Sequence, residues 1–156
     1  MVQYNKIIDD MGKGRQTVRT ATAHVALVNG VATALIAAPP FPFIIKRVSV
    51  GSSVATDFVD ALEVIVLAPG TDLDTAPGSG NRLITPLASF ADKKMHDQTL
   101  LALAQSKKVA NSLVVIQMTN NGVLGTGLAN VLVEYDSIGQ TYGAYDGDND
   151  SVGAYD

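Results

Sequence analysis

Between Thr17 and Ile138 the apolar residues of this chain recur at every second position, in stretches closed by Asn-Gly, Pro-Pro and Pro-Gly dipeptides. A side-chain period of two marks a strand with one buried face, so a chain carrying it nearly throughout is committed to sheets. In Thr17–Val28, Val18, Thr20, Thr22, His24, Ala26 and Val28 alternate with Arg19, Ala21, Ala23, Val25 and Leu27. Asn29-Gly30 follows, the pair favoured in two-residue hairpins because both tolerate positive φ, so Val31–Ala38 is expected to return antiparallel beside the first strand. Pro39, Pro40 and Pro42 close that strand, since proline donates nothing to a ladder, and Phe43–Val50 starts the next.

The pattern continues to the end of this zone. In Phe58–Leu67, Leu62, Val64 and Val66 share one face while Val59, Ala61, Ile65 and Leu67 share the other, as in a strand covered on two sides. Residues 69–82 are dense in Pro, Gly, Asp and Asn and form a long loop. Asp97–Gln105 carries the helical signature, with Asp97 as candidate cap and Leu100, Leu101 and Ala104 on one side. Ala110–Thr119 sets Val114, Ile116 and Met118 against Val115, Gln117 and Thr119. After the Asn120-Asn121-Gly122 turn, Leu128–Ile138 is expected to return as the second arm of a hairpin. Its core face would be Ala129, Val131, Val133 and Tyr135. These runs predict an all-β fold, an antiparallel β-sandwich of jelly-roll type, with a short helix near 97–105.

The predicted organisation is an N-terminal arm over 1–16, a sandwich domain over 17–138 and an acidic, flexible C-terminal tail over 139–156. The tail, GQTYGAYDGDNDSVGAYD, holds too little apolar surface to offset its ordering entropy. The chain's 156 residues suffice for one core without a staple. Only 17% are charged, against roughly 25% in an average soluble protein, and Thr, Ser, Asn and Gly carry the polar balance. Eleven Lys and Arg against fifteen Asp and Glu give a formal charge of −4, which disfavours nucleic-acid binding. A cleaved signal peptide is not expected, because Lys6, Asp9, Asp10 and Lys13 interrupt any apolar start. The charge-free stretch Thr20–Ile45 has the length of a membrane span, but His24, Asn29-Gly30 and three prolines make it two strands joined by a turn.

Searching for chemistry yields little. The absence of cysteine excludes disulfides, thiolate metal sites and thiol nucleophiles. Gly51-Ser52-Ser53 and Gly78-Ser79-Gly80 lack the spacing of a nucleophile elbow, and Gly12-Lys13-Gly14-Arg15 lacks that of a phosphate-binding loop. Gly122-Val123-Leu124-Gly125-Thr126-Gly127 lies between two strands, as in a hairpin, where a dinucleotide site requires a following helix. His96 and Asp97 are adjacent and on a strand point apart; Asp60 and Glu63, three positions apart, likewise face opposite sides. Asp146, Asp148 and Asp150 open like a calcium loop, but Ser151 stands where the turn glycine belongs, and the match ends there. No enzyme activity, cofactor or metal is expected. Charge is instead asymmetric: every basic residue lies between Lys6 and Lys108, and residues 109–156 carry six acids and no Lys or Arg. Such extensions dock on complementary surfaces.

Three stretches, TVRTATAHVALVNGVATALIAA, PFIIKRVSVGSS and LVVIQMTNNGVLGTGLANVLVEYD, with few charges and no cysteine, resemble the small β-sandwich cement or decoration proteins of tailed-bacteriophage heads. The resemblance spans about residues 17–138. It implies a structural protein of the virion, made in the host cytoplasm. It implies a homotrimer seated on the outside of the head, bound to the major capsid protein and bridging capsomers, with no catalysis and no membrane. The basic residues Lys6, Lys13, Arg15 and Arg19 are then candidates for contacting that partner, and Tyr142, Tyr145 and Tyr155 for packing between subunits. The excess of apolar strand surface, Phe58–Leu67 above all, is the physical motive expected for such an oligomer. The alternative is a non-enzymatic binding or adhesion module for carbohydrate or a receptor, such as a tail or fibre component, using the loop near 69–82.

Overall fold

The computed structural model describes residues 18–28, 30–55, 61–120 and 127–138. Its elements are β1 (Val18–Ala26), β2 (Gly30–Ala37), β3 (Phe43–Ser52), β4 (Ala61–Leu67), β5 (His96–Asp97), α1 (Ala102–Gln105), β6 (Leu113–Asn120) and β7 (Leu128–Ser137). They form two antiparallel sheets, one of order β1-β7-β3-β5 and one of order β2-β6-β4. Every strand lies in the opposite sheet from the strand before it. Residues 81–87 run antiparallel along the far side of β4, with bridges from Ile65 to Arg82 and from Leu62 to Leu87. They take the place of a fourth strand in the second sheet, so the order is that of a jelly roll.

The all-β prediction holds, and so do the strand faces. Val114, Ile116 and Met118 of β6, Ala129, Val131 and Val133 of β7, and Leu62 and Val64 of β4 meet in one core between the sheets. Phe43, Ile45, Val48 and Val50 of β3 complete it, and Tyr135 packs at its margin. Burying such side chains stabilises by roughly 1.5–3 kcal/mol each before the entropy of ordering them is subtracted.

Both expected hairpins are overturned. β1 pairs with β7 and β2 with β6, so the two strands flanking Asn29-Gly30 belong to different sheets and are not ladder neighbours. Gly30 does adopt the positive φ, 106°, that the turn dipeptide announced. The chain leaves β1 through a tight turn at Leu27, the Val28 N–H donating to the Ala26 carbonyl at 3.0 Å, and enters β2 in the other sheet. Leu27 is buried inside that corner, and its N–H donates to the carbonyl of Gly127 at 2.9 Å. β6 and β7 likewise sit in different sheets; residues 121–126 lie outside those described.

Helix α1 spans Ala102–Gln105 only, within the predicted window, and Asp97 does not cap it. Asp97 belongs to β5, where its carboxylate is engaged by β3. Leu83 and Ile84 are fully buried, so the segment between the long loop and α1 is core-forming without being a regular strand.

The expectation that β4 needs another copy to cover its second face is also corrected. Ile65 and Leu67 form a small second cluster with Val115 of β6, against which Leu73 and Leu113 pack. The loop over 68–82 supplies Leu73 and is pinned there. Gln117 Nε2 donates to the carbonyls of Leu73 and Thr75 at 2.7 and 2.8 Å. Arg82 Nε donates to Glu63, whose side chain is buried beneath it. This chain covers β4 by itself.

Candidate interaction surfaces

The outer face of the four-stranded sheet carries a row of charge built by strand register. Arg47 lies opposite Glu134, and Ser49 lies opposite Asp97. The Arg47 guanidinium therefore spans three strands, Nε donating to Asp97 Oδ1 at 2.9 Å and Nη1 to Glu134 Oε2 at 2.7 Å. The Ser49 hydroxyl donates to the same Asp97 oxygen. Its hydrogen bond, with that of Arg47, holds the Asp97 carboxyl below the usual carboxylate range. Lys46 reaches Asp136 at 3.7 Å. The arrangement ties β7, β3 and β5 together and presents no free carboxylate pair for acid/base work.

The two histidines lie on different strands, β1 and β5. His24 is exposed on β1. His96 points to Asp92, Nε2 to Oδ1 at 2.8 Å, while its neighbour Asp97 turns to Arg47. Asp92 is held below its ordinary range by His96 and then by the backbone N–H of Lys94. The buried titratable group that sequence reading missed is Lys108. Its ammonium donates to the carbonyls of Leu103, Ala104 and Ser106 at the end of α1, and burial pushes its pKa down. Main-chain pairing of Lys108 with Phe43, N to O at 2.7 and 3.1 Å, fastens this turn to β3. The side chain acts as a cap on orphan carbonyls.

Of the basic residues expected to contact a partner, Arg19 stands at one end of β1, its guanidinium 4.9 Å from the Phe41 ring centroid. Phe41 and Phe43 lie 6.4 and 5.6 Å from Tyr135, so Arg19 belongs to an aromatic cluster that closes the end of the sandwich. Lys6, Lys13 and Arg15 lie outside the described residues, as do Asp60, the three tail tyrosines and the Asp146, Asp148 and Asp150 motif. Among the described residues no group of three or more His, Asp or Glu could hold a metal ion, and no helix is long and apolar enough to cross a membrane. The loop over 69–82 is the ligand region of the adhesion alternative. It commits the Leu73 side chain, the carbonyls of Leu73 and Thr75 and the carbonyl of Asn81 to the sheet beneath it.

The remaining surface is the flank between β1 and β2. These two strands are edges: among the described residues each pairs on one side only, with β7 and β6 respectively. Of their core-facing side chains Val25 and Ile36 are buried, whereas Ala21, Ala23, Ala32 and Ala34 are only partly so. On the outer side of β2, Val31 is 66% and Leu35 is 44% exposed.

No family model matches this sequence, and no curated protein matches it. Among solved structures the chain is similar to one in the cyanophage Pam1 capsid asymmetric unit, with 14% identity and a TM-score of 0.45 over 78% of this chain and 85% of that one. It is also similar to a chain of Bacillus endospore appendages, a novel family of disulfide-linked pili, with 8% identity and a TM-score of 0.33 over 80% of this chain and 92% of that one. Likenesses at this level say nothing of what either surface binds.

Proposed function

We propose that this chain is a structural, non-enzymatic virion protein that binds the outside of a phage capsid and stabilises it by bridging capsomers. The observation that supports this most is where the resemblance to head-decoration proteins falls. Its three stretches contain β1 and β2, then β3, then β6 and β7, which are the long strands of both sheets apart from β4. A protein of this kind works by rigidity. Its polar side chains serve that end here, with Arg47, Ser49, Asp97 and Glu134 stitching one sheet and Glu63, Arg82 and Gln117 pinning the cover of the other. The jelly roll by itself hosts many functions, so the reading stands on these side chains and strands and not on the architecture.

The test is sedimentation of the purified full chain with undecorated, expanded heads of tailed phages. Saturable uptake, together with a higher temperature of DNA release from decorated heads, is the expected result. If no head takes up the chain and it binds immobilised glycans instead, the adhesion alternative replaces this reading. Turnover of any substrate in a broad hydrolase panel would remove its non-enzymatic part.

A further inference from the structure

We propose that the free edge of β2 docks a second copy of this chain, the two β2 strands pairing antiparallel about a two-fold axis at Thr33. An unpaired strand edge offers a row of N–H and C=O groups that only another strand satisfies fully. Open edges are not the default in this fold. Along β4 the chain closes its own ladder: Leu62 and Leu87 exchange N–H···O bonds of 2.8 and 2.9 Å, Leu83 donates to Val64 at 2.9 Å, and Val66 donates to Asn81 at 2.8 Å. Along β3, Gln98 donates to Val48 at 2.8 Å and Lys108 pairs with Phe43. Among the described residues β2 pairs with β6 alone.

β2 carries neither charge nor proline to guard that edge. Soluble proteins blunt edge strands with lysine, proline or a bulge. Gly30–Ala37 reads GVATALIA, with no charge and no proline, and its one irregularity lies beyond Leu35. The absence of charge also selects the occupant. A charged partner strand would find nothing to pair with, whereas a copy of β2 brings no unpaired charge to the contact.

The sequence is self-complementary about Thr33. With Thr33 opposite its counterpart, Val31 of each copy stands across from Leu35 of the other on the outer face, and Ala32 across from Ala34 on the inner face. Cross-strand Thr–Thr and aliphatic pairs stabilise such ladders. The exposed Val31 and Leu35 side chains would be covered together with the half-buried alanines at the mouth of the sandwich. One self-complementary strand builds an isologous, two-fold contact. The three-fold arrangement implied by the decoration-protein resemblance requires two different surfaces meeting head to tail.

Sedimentation equilibrium of the full chain over a range of concentrations tests this contact apart from any capsid. A reversible monomer–dimer equilibrium is expected. Val31→Lys and Leu35→Glu should each weaken it roughly tenfold or more while leaving the thermal unfolding of the monomer in place. An equimolar mixture of the two variants should recover association, because the introduced ammonium and carboxylate then face each other across the axis. A monomer at every concentration, a dimer or trimer indifferent to both substitutions, or a mixture that does not recover would each overturn the proposal. Loss of head binding in Val31→Lys while the free chain stays monomeric would also overturn it and assign the edge to a strand of another protein. Failure of head binding with an intact, variant-sensitive dimer would sink the virion reading and leave this one standing.

Discussion

Along the flank made by β3 and β4 the chain supplies its own cover, whereas among the described residues the flank made by β1 and β2 ends at the strand edges. The closed side uses residues 81–108, most of them outside regular structure, to hydrogen-bond both far edges and to drive Leu83, Ile84 and Phe90 into the core. The open side has alanine at four core-facing positions, Ala21, Ala23, Ala32 and Ala34, and is anchored by Val25 and Ile36. The alanines bury little area, so this flank draws its share of the monomer's stability chiefly from Val25 and Ile36. Closing an edge with irregular chain costs conformational entropy and requires large anchors to offset it.

The comparison can be broken most severely on the closed side. Leu83→Ala should cost about 3 kcal/mol, because a fully buried side chain is removed from a segment tied to β4 and cannot be refilled from solvent. A denaturant midpoint equal to that of the parent chain would contradict the account of this segment as core. Next in size, Arg82→Ala should lower the denaturant midpoint by less than Leu83→Ala does, since it strips the partner from the buried Glu63 carboxylate and loosens the loop over β4. Amide exchange should then quicken at Thr75 and Val66, whose N–H groups donate to the carbonyls of Asp72 and Asn81 in this loop.

A smaller effect sits on the exposed ion-pair row. In the folded chain Asp97 titrates below its ordinary value of 3.8, through Ser49 and then Arg47. A carboxylate lowered by folding contributes stability that is fully present above the unfolded value and is lost as pH falls through the folded one. Ser49→Ala should therefore raise the Asp97 midpoint toward 3.8 in a carboxyl-detected NMR titration; an unmoved midpoint would show that the hydroxyl contributes nothing. The least effect on the monomer belongs to the open flank. Val31→Lys should change unfolding free energy by no more than about 0.5 kcal/mol, as surface substitutions do, although the same change weakens the contact proposed for β2. A cost near that of Leu83→Ala would mean that the two flanks are not different in kind.

Much of this was legible in the chain. The faces of β6 and β7 follow from alternation, and Val114, Ile116, Met118, Val131 and Val133 are buried as their spacing requires. The double apolar face of Ala61–Leu67 correctly announced a strand covered twice, by the core on one side and by Leu73 on the other. What covered it was not legible, since a loop rich in Pro, Gly and Asp gives no local sign that a single leucine and a distant glutamine will pin it down. Asp97 shows the same limit. Beside DQTLLALAQ it has the composition of a helix cap, and only the placement of Arg47 and Ser49 across the sheet turns its carboxylate elsewhere.

Period two, by itself, determined that this chain makes strands and which side chain of each strand turns inward, because alternation of faces is a property of extended backbone and needs no partner. It could not determine which strands are neighbours. Backbone hydrogen bonds between strands are the same for every residue type, and an Asn-Gly dipeptide serves as well where a chain crosses a sandwich as where it folds back within one sheet. The tertiary structure decided that β1 and β2 part to opposite sheets, that 81–108 closes one flank, and that among the described residues β2 pairs with β6 alone. The reason is physical: faces are set by local stereochemistry, while pairing and edges are set by which apolar surfaces find each other once the chain collapses.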